Sequence, residues 1–155
     1  MTAVNDFDAF LNARLNDDEL ALRKAAELCG CHLPAPSWTF NDKDTDGRIL
    51  INGEPHPELK RRLGRRWNGS YDGLFAAQHI VRHDPARVLR EVNAKRRLID
   101  EHPNMNDGSC GTCVTPQWGY PTHGGSSPKA YPCTTLRLLA LPYADHEDYN
   151  EDWRP

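Results

Sequence analysis

Between Asp84-Pro85 and Pro103 the chain has little choice but to be helical. Asp84 can accept from the free amides of a first turn, and Pro85 sits where its missing N–H costs nothing, so a helix over residues 85–101 begins there. Val88, Leu89, Val92, Leu98 and Ile99 supply an apolar stripe at roughly helical spacing. Arg87 with Glu91, and Glu91 with Lys95, are placed to pair across turns, and Pro103 stops the helix. This rod ends at His102, eight residues before a Cys110-Gly-Thr-Cys113 turn.

That juxtaposition predicts a metal site. Residues 103–132 are rich in Gly, Ser, Asn and Pro and read mostly as loop, followed by a helix over residues 134–141 that buries Leu136, Leu139 and Ala140. A Cys-x-x-Cys turn can offer two thiolates to one zinc, and Cys133, at the helix start, gains thiolate stability from the dipole. Cys110, Cys113 and Cys133 are thus three expected ligands. The fourth is His102 or His123; a rigid helix end orients a ligand at lower entropic cost than a glycine-flanked loop, which favours His102. The competing reading is three free thiols in a surface loop. Zinc is preferred because a loop this poor in apolar residues has little else to hold it. The expected cofactor is therefore structural Zn2+, and a complete Cys3His set leaves no open position for chemistry on a substrate.

The chain has five cysteines, an odd number, and Cys29 and Cys31 are too close to bridge comfortably, so a disulfide framework is disfavoured. Cys29, Cys31 and His32 are a weaker ligand group, because Cys-x-Cys-His is tight for a four-ligand knuckle; small residues buried at a turn is the alternative. They follow a helix over residues 5–29, marked by Phe7, Leu11, Leu15 and Leu22 and ended by Gly30. Within it Asn16 and Glu19 form a possible internal capping box, so a kink or second start is expected near Asn16. Trp38-Thr-Phe40 and residues 48–52 read as two strands around a polar turn. That turn, Asp42-Lys-Asp44-Thr-Asp46-Gly47, resembles half of a calcium loop. It lacks the closing acid, since Gly53 occupies that position, and it lacks flanking helices, so a hairpin turn is the better account.

The size fits one domain of α+β class, mostly helical: a long N-terminal helix (1–36), a small β-hairpin (37–55), a basic helical middle (56–102), and a Cys-containing loop, helix and acidic tail (103–155). In the tail Tyr149 and Trp153 can dock back as anchors or face a partner. The net charge of −3 hides a basic middle, with 11 Lys and Arg against 5 Asp and Glu over residues 56–100. Lys60, Arg61, Arg62, Arg65, Arg66, Arg90 and Arg97 are the residues with which that middle would meet phosphates; a solvated face is the plainer reading. A helix over residues 73–83 puts His79 and His83 on one face beside Asp84, which suggests a hydrolase centre, although the glutamate of the zinc-protease motif is missing. No apolar run is long enough for a membrane span, and the start lacks a signal peptide's pattern, so a cytoplasmic protein with no membrane association is expected.

The stretch His79-Ile-Val-Arg-His-Asp-Pro-Ala-Arg-Val-Leu-Arg-Glu-Val-Asn-Ala-Lys-Arg-Arg-Leu98, the Cys-x-x-Cys, and Tyr131-Pro-Cys-Thr-Thr-Leu-Arg-Leu-Leu-Ala-Leu-Pro-Tyr-Ala-Asp-His-Glu-Asp-Tyr149, with Trp153 near the end, resemble an uncharacterised family of small proteins from actinobacteria and their phages. The resemblance also takes in Phe7, Phe10, Leu11, Arg14, Leu15 and Trp38. It implies a domain of unknown function and supplies no catalytic residue. The residues themselves suggest a non-enzymatic, zinc-stabilised binding or regulatory module with an unidentified protein partner. A nucleic-acid-binding protein is the alternative, and a hydrolase the third reading.

Overall fold

A computed structural model describes residues 3–27, 38–40, 49–51, 53–55, 78–116 and 126–155. The architecture is mixed α+β and mostly helical. The elements are α1 (Ala3–Glu27), β1 (Trp38–Phe40), β2 (Ile49–Ile51), β3 (Glu54–Pro55), α2 (Pro85–Asp100), β4 (Ser109–Thr115), β5 (Ser127–Ala130) and α3 (Thr134–Ala140). Single 3-10 turns follow at Leu141–Tyr143 and Glu151–Trp153. The chain divides into two compact units, Met1–Asp17 with Asn93–Pro155, and Asp18–Val92.

In the unit Asp18–Val92, β1, β2 and β3 form an antiparallel sheet in that order, with Trp38 opposite Ile51 and Phe40 opposite Ile49. The hairpin of the first two strands matches the expectation; β3, joined through Gly53 at φ +87, is an addition. Asp84 is 7% exposed and caps α2 as expected, its Oδ1 accepting from the Arg87 N–H at 2.6 Å. Its Oδ2 accepts from the Trp38 N–H at 3.1 Å, which fastens the sheet to the start of α2. Arg87 pairs with Glu91 at 2.7 Å.

Among the described residues, the other unit holds one continuous apolar core. Phe7, Phe10 and Leu11 of α1 pack with Cys110, Tyr131, Cys133, Leu136, Ala140, Tyr149 and Trp153, and Ile99, Cys113, Leu139, Tyr143 and Ala144 close over them. Tyr149 and Trp153 are therefore anchors folded into their own chain. Trp153 stands edge-on to Phe7 at 5.3 Å and tilted on Phe10 at 5.1 Å.

Four expectations are corrected. α1 runs unbroken through Asn16, whose Oδ1 accepts from the Arg96 guanidinium at 2.9 Å instead of capping a new start. Leu98 is 39% exposed and so lies off the buried stripe, of which Val92 is the fully enclosed member. Lys95 reaches the Tyr143 hydroxyl at 3.0 Å and lies over its ring, in place of the expected turn to Glu91. Finally, part of the predicted 103–132 loop is a second hairpin, in which β4 pairs antiparallel with β5.

The Tyr131 phenol donates to the Asp8 carboxylate of α1. Burial, reinforced by the charge of Asp8, pushes this phenol well above its ordinary value of 10.0. The folded chain thus holds a proton that the unfolded chain releases. The stabilisation is complete below about pH 10 and is lost as pH rises beyond it. Tyr131→Phe is expected to flatten the alkaline limb of a stability-versus-pH curve measured by urea unfolding, and an unchanged limb would assign that loss to other groups.

Candidate metal centre

The ligands are brought together by a turn that begins where α2 ends. The Glu101 N–H donates to Arg97 O at 2.9 Å and the His102 N–H to Ile99 O at 3.0 Å, which closes the last turn of the helix. Pro103 then redirects the chain, and Asn104 bridges Cys110 across a tight loop. In that loop the Gly108 N–H donates to Met105 O and the Met105 N–H to Ser109 O, each at 2.9 Å. Gly108 has φ +76, the left-handed conformation that side chains disfavour. Asp107 Oδ1 accepts the Ser109 hydroxyl at 2.6 Å and its N–H at 3.0 Å, and these bonds hold the Asp107 carboxyl below its ordinary value. The signal for this tight loop between Asn104 and Cys110 is the Asp107-Gly108 pair. The polar, glycine-containing strand after it hid the pairing, because no apolar alternation marks it.

The two residues between the paired cysteines tie β4 to the end of α2. The Gly111 N–H donates to Pro103 O at 2.8 Å, and the Thr112 hydroxyl donates to Glu101 O. Gly111 admits no side chain: a Cβ there would stand 2.8 Å from Pro103 Cγ and 3.1 Å from Met105 Sδ. Gly111→Ala must push the proline ring away, so it is expected to lower stability by about 1–3 kcal/mol, the usual range for overpacking. Urea unfolding checks this, and a neutral result would mean that the Pro103 turn yields freely.

On this frame the donor atoms of His102, Cys113 and Cys133 lie within 4.8 Å of one another. Cys110, the remaining expected ligand, is not part of that group of three; its Sγ stands next to it, accepting from the Cys113 N–H at 3.4 Å. Cys110 and Cys133 are each 2% exposed and His102 9%, while Cys113 is half-buried. Cys133 occupies the extended position immediately before α3, and its carbonyl accepts the Arg137 N–H at 3.0 Å, so its direction is set by the helix start.

The imidazole is oriented from behind. His102 Nδ1 lies 2.6 Å from the Leu98 carbonyl, and since a carbonyl only accepts, Nδ1 donates to it, which leaves Nε2 as the nitrogen a metal could use. A backbone carbonyl holding the far nitrogen of a histidine is the usual outer shell of an imidazole metal ligand.

The thiols oppose one another's ionisation. Burial pushes Cys110 up, but the Thr112 and Cys113 amides, with the Cys133 and Cys113 side chains, outweigh it and hold this thiol below its ordinary range. Cys113 is pushed up to about 11, first by burial and then by Cys133, with Cys110 adding to the rise. One thiolate forms readily and the next is resisted. A divalent cation at their centre would reverse that balance, because it compensates every thiolate at once.

The other expected site residues fall elsewhere. His79 and His83 share a face as foreseen, with ring centroids 4.6 Å apart and both side chains exposed. Asp84, the acid expected to work with them, has both carboxylate oxygens committed to backbone amides. Arg90 and Arg97 are exposed on α2. Lys60, Arg61, Arg62, Arg65 and Arg66 lie outside the described residues, as do Cys29, Cys31, His32, His123 and the Asp42 to Gly47 turn.

These features define a class: a small, mostly helical α+β protein carrying a candidate His/Cys/Cys metal site between a hairpin and two helix ends. Among the described residues no helix is long and apolar enough to cross a membrane. The chain belongs to the family of unknown function DUF6221, which it matches over residues 4–155. No curated protein and no solved structure matches it.

Proposed function

We propose that the chain is a non-enzymatic binding or regulatory module whose Met1–Asp17 with Asn93–Pro155 unit is held by one structural Zn2+ on Cys110, Cys113, Cys133 and His102. The supporting observation is the meeting of an imidazole, locked by Leu98 O through Nδ1, with Cys113 and Cys133 inside a 4.8 Å circle, with the Cys110 sulfur beside it on the Cys113 N–H. Tetrahedral zinc with Zn–S bonds of about 2.3 Å spaces its sulfurs at roughly 3.8 Å, so the group needs only small side-chain rotations to close. Thiolate-rich donors with an imidazole favour zinc over magnesium or calcium. Four protein ligands fill the shell, which leaves the metal a fastener and puts recognition on the surrounding surface.

Metal analysis of protein purified without added metal tests the reading. About one zinc per chain is expected for the wild type and for His123→Ala, with loss in Cys110→Ser and His102→Ala. A folded, metal-free wild type with freely reacting thiols would overturn it.

A further inference from the structure

We propose that Cys113 is an oxidation site at which a hydroperoxide converts Cys113 and Cys133 to a disulfide and so releases the metal. This inference rests on the zinc reading above. Its ground is unequal solvent access to the three sulfurs. Cys110 and Cys133 are each 2% exposed, whereas Cys113 is half-buried, so an oxidant meets Cys113 first. The sulfurs of Cys113 and Cys133 are within 4.8 Å, close enough for a resolving thiol to reach without refolding either element. Cys110 is the poorer resolving group, because its sulfur is held by the Cys113 N–H at 3.4 Å on the buried side of the turn.

The chemistry closes on named groups. The Cys113 thiolate attacks the peroxide, the O–O bond breaks, and Cys113 becomes a sulfenic acid as one oxygen leaves as water or an alcohol. The Cys133 thiolate attacks that sulfur, an S–S bond forms, and hydroxide departs to be protonated by solvent. Two electrons pass from the two thiolates to the peroxide, and the metal leaves as Zn2+ with its oxidation state unchanged. Two ligands then remain, Cys110 and His102, too few to hold it. The outcome is asymmetric: the new bond keeps β4 joined to the start of α3, while the end of α2 at His102 loses its ligand bond and is left to the hydrogen bonds that Gly111 and Thr112 make to it. Oxidation therefore loosens one particular junction and leaves the other covalent.

The test uses the full chain. Its zinc is counted first, hydrogen peroxide is then added with a chromophoric chelator present, and the disulfide is located by mass spectrometry of unreduced peptides. Release of the bound zinc, a Cys113–Cys133 disulfide, and recovery of zinc binding after thiol reduction are expected. Cys113→His keeps four ligands, so a variant that retains zinc and releases it at least about tenfold more slowly supports the assignment. Retention of zinc in excess peroxide, a Cys110–Cys113 disulfide, or a Cys113→His variant that loses zinc as fast as the wild type would each overturn it. Should Cys113→His fail to fold, the position of the wild-type disulfide decides alone. A chain with no zinc before peroxide is added refutes the metal reading itself and this inference with it, and the initial count separates that failure from the others.

Discussion

Cys133→Ser is expected to cost the Met1–Asp17 with Asn93–Pro155 unit its cooperative fold in the presence of zinc. The residue is 2% exposed and stands at the one place where β4, the end of α2 and the start of α3 come together. A serine hydroxyl stays protonated where a thiolate is needed, so the change removes a ligand and leaves two cysteines and a histidine facing a weakened site. Structural zinc contributes roughly 10–16 kcal/mol of apparent binding free energy in small zinc-folded peptides, against a net stability of about 5–15 kcal/mol for ordinary domains. Even a fraction of that exceeds what any single surface contact supplies. Hydrogen exchange over residues 93–155, with and without a chelator, is the direct measurement. The wild type is expected to lose protection on chelation and Cys133→Ser to resemble the chelated wild type whether or not zinc is present. Equal protection in all four samples would leave the apolar core as the sole fastener.

How much of this could be read beforehand depended on whether a feature was local. The Asp84 cap, the Pro85 start and the stop near Pro103 are decisions made within one helical turn, and α2 follows them to Asp100. Cys113 and Cys133, which meet His102, were legible together because their chemistry is scarce and the surrounding chain offered no competing use for it. His102 was preferred over His123 by an entropy argument, and it stands in the cluster. Pairing between distant segments was harder. β4 and β5 lack the alternation of a half-buried strand: positions in β4 are taken by Cys110, Gly111, Thr112 and Cys113, with Thr112 bonded to the turn after α2, and β5 is the short polar run Ser-Pro-Lys-Ala. Side-chain partners were the least legible. Lys95 had Glu91 one turn away, yet took Tyr143, where its ammonium gains both a hydroxyl and a ring face. Leu98 stands six residues after Val92, about 120° around a helix of 3.6 residues per turn, so its exposure follows from the spacing itself.

Trp153→Ala is the second large effect expected, at about 3–5 kcal/mol of lost stability, the range for truncating a buried aromatic side chain. Trp153 is 5% exposed and its ring lies 5.3 Å from Phe7, 5.1 Å from Phe10 and 5.7 Å from Tyr149. Local bonds aim it: Asn150 Oδ1 accepts the Asp152 N–H at 3.0 Å and so starts the last 3-10 turn. The Arg154–Glu151 pair beside it holds the Glu151 carboxyl below its ordinary value, but both groups are exposed to solvent that screens them. Glu151→Gln should therefore leave the urea midpoint essentially where it is, in contrast to its neighbour. Phe7 also stands edge-on to Tyr131, two residues before Cys133, so the ring cluster and the metal centre share one core. Trp153→Ala should accordingly lower zinc affinity as well as the urea midpoint, although Trp153 is not proposed to touch the metal. If the midpoint falls while zinc affinity holds, the rings and the metal fasten the chain independently. If neither falls, the tail contributes nothing to this core.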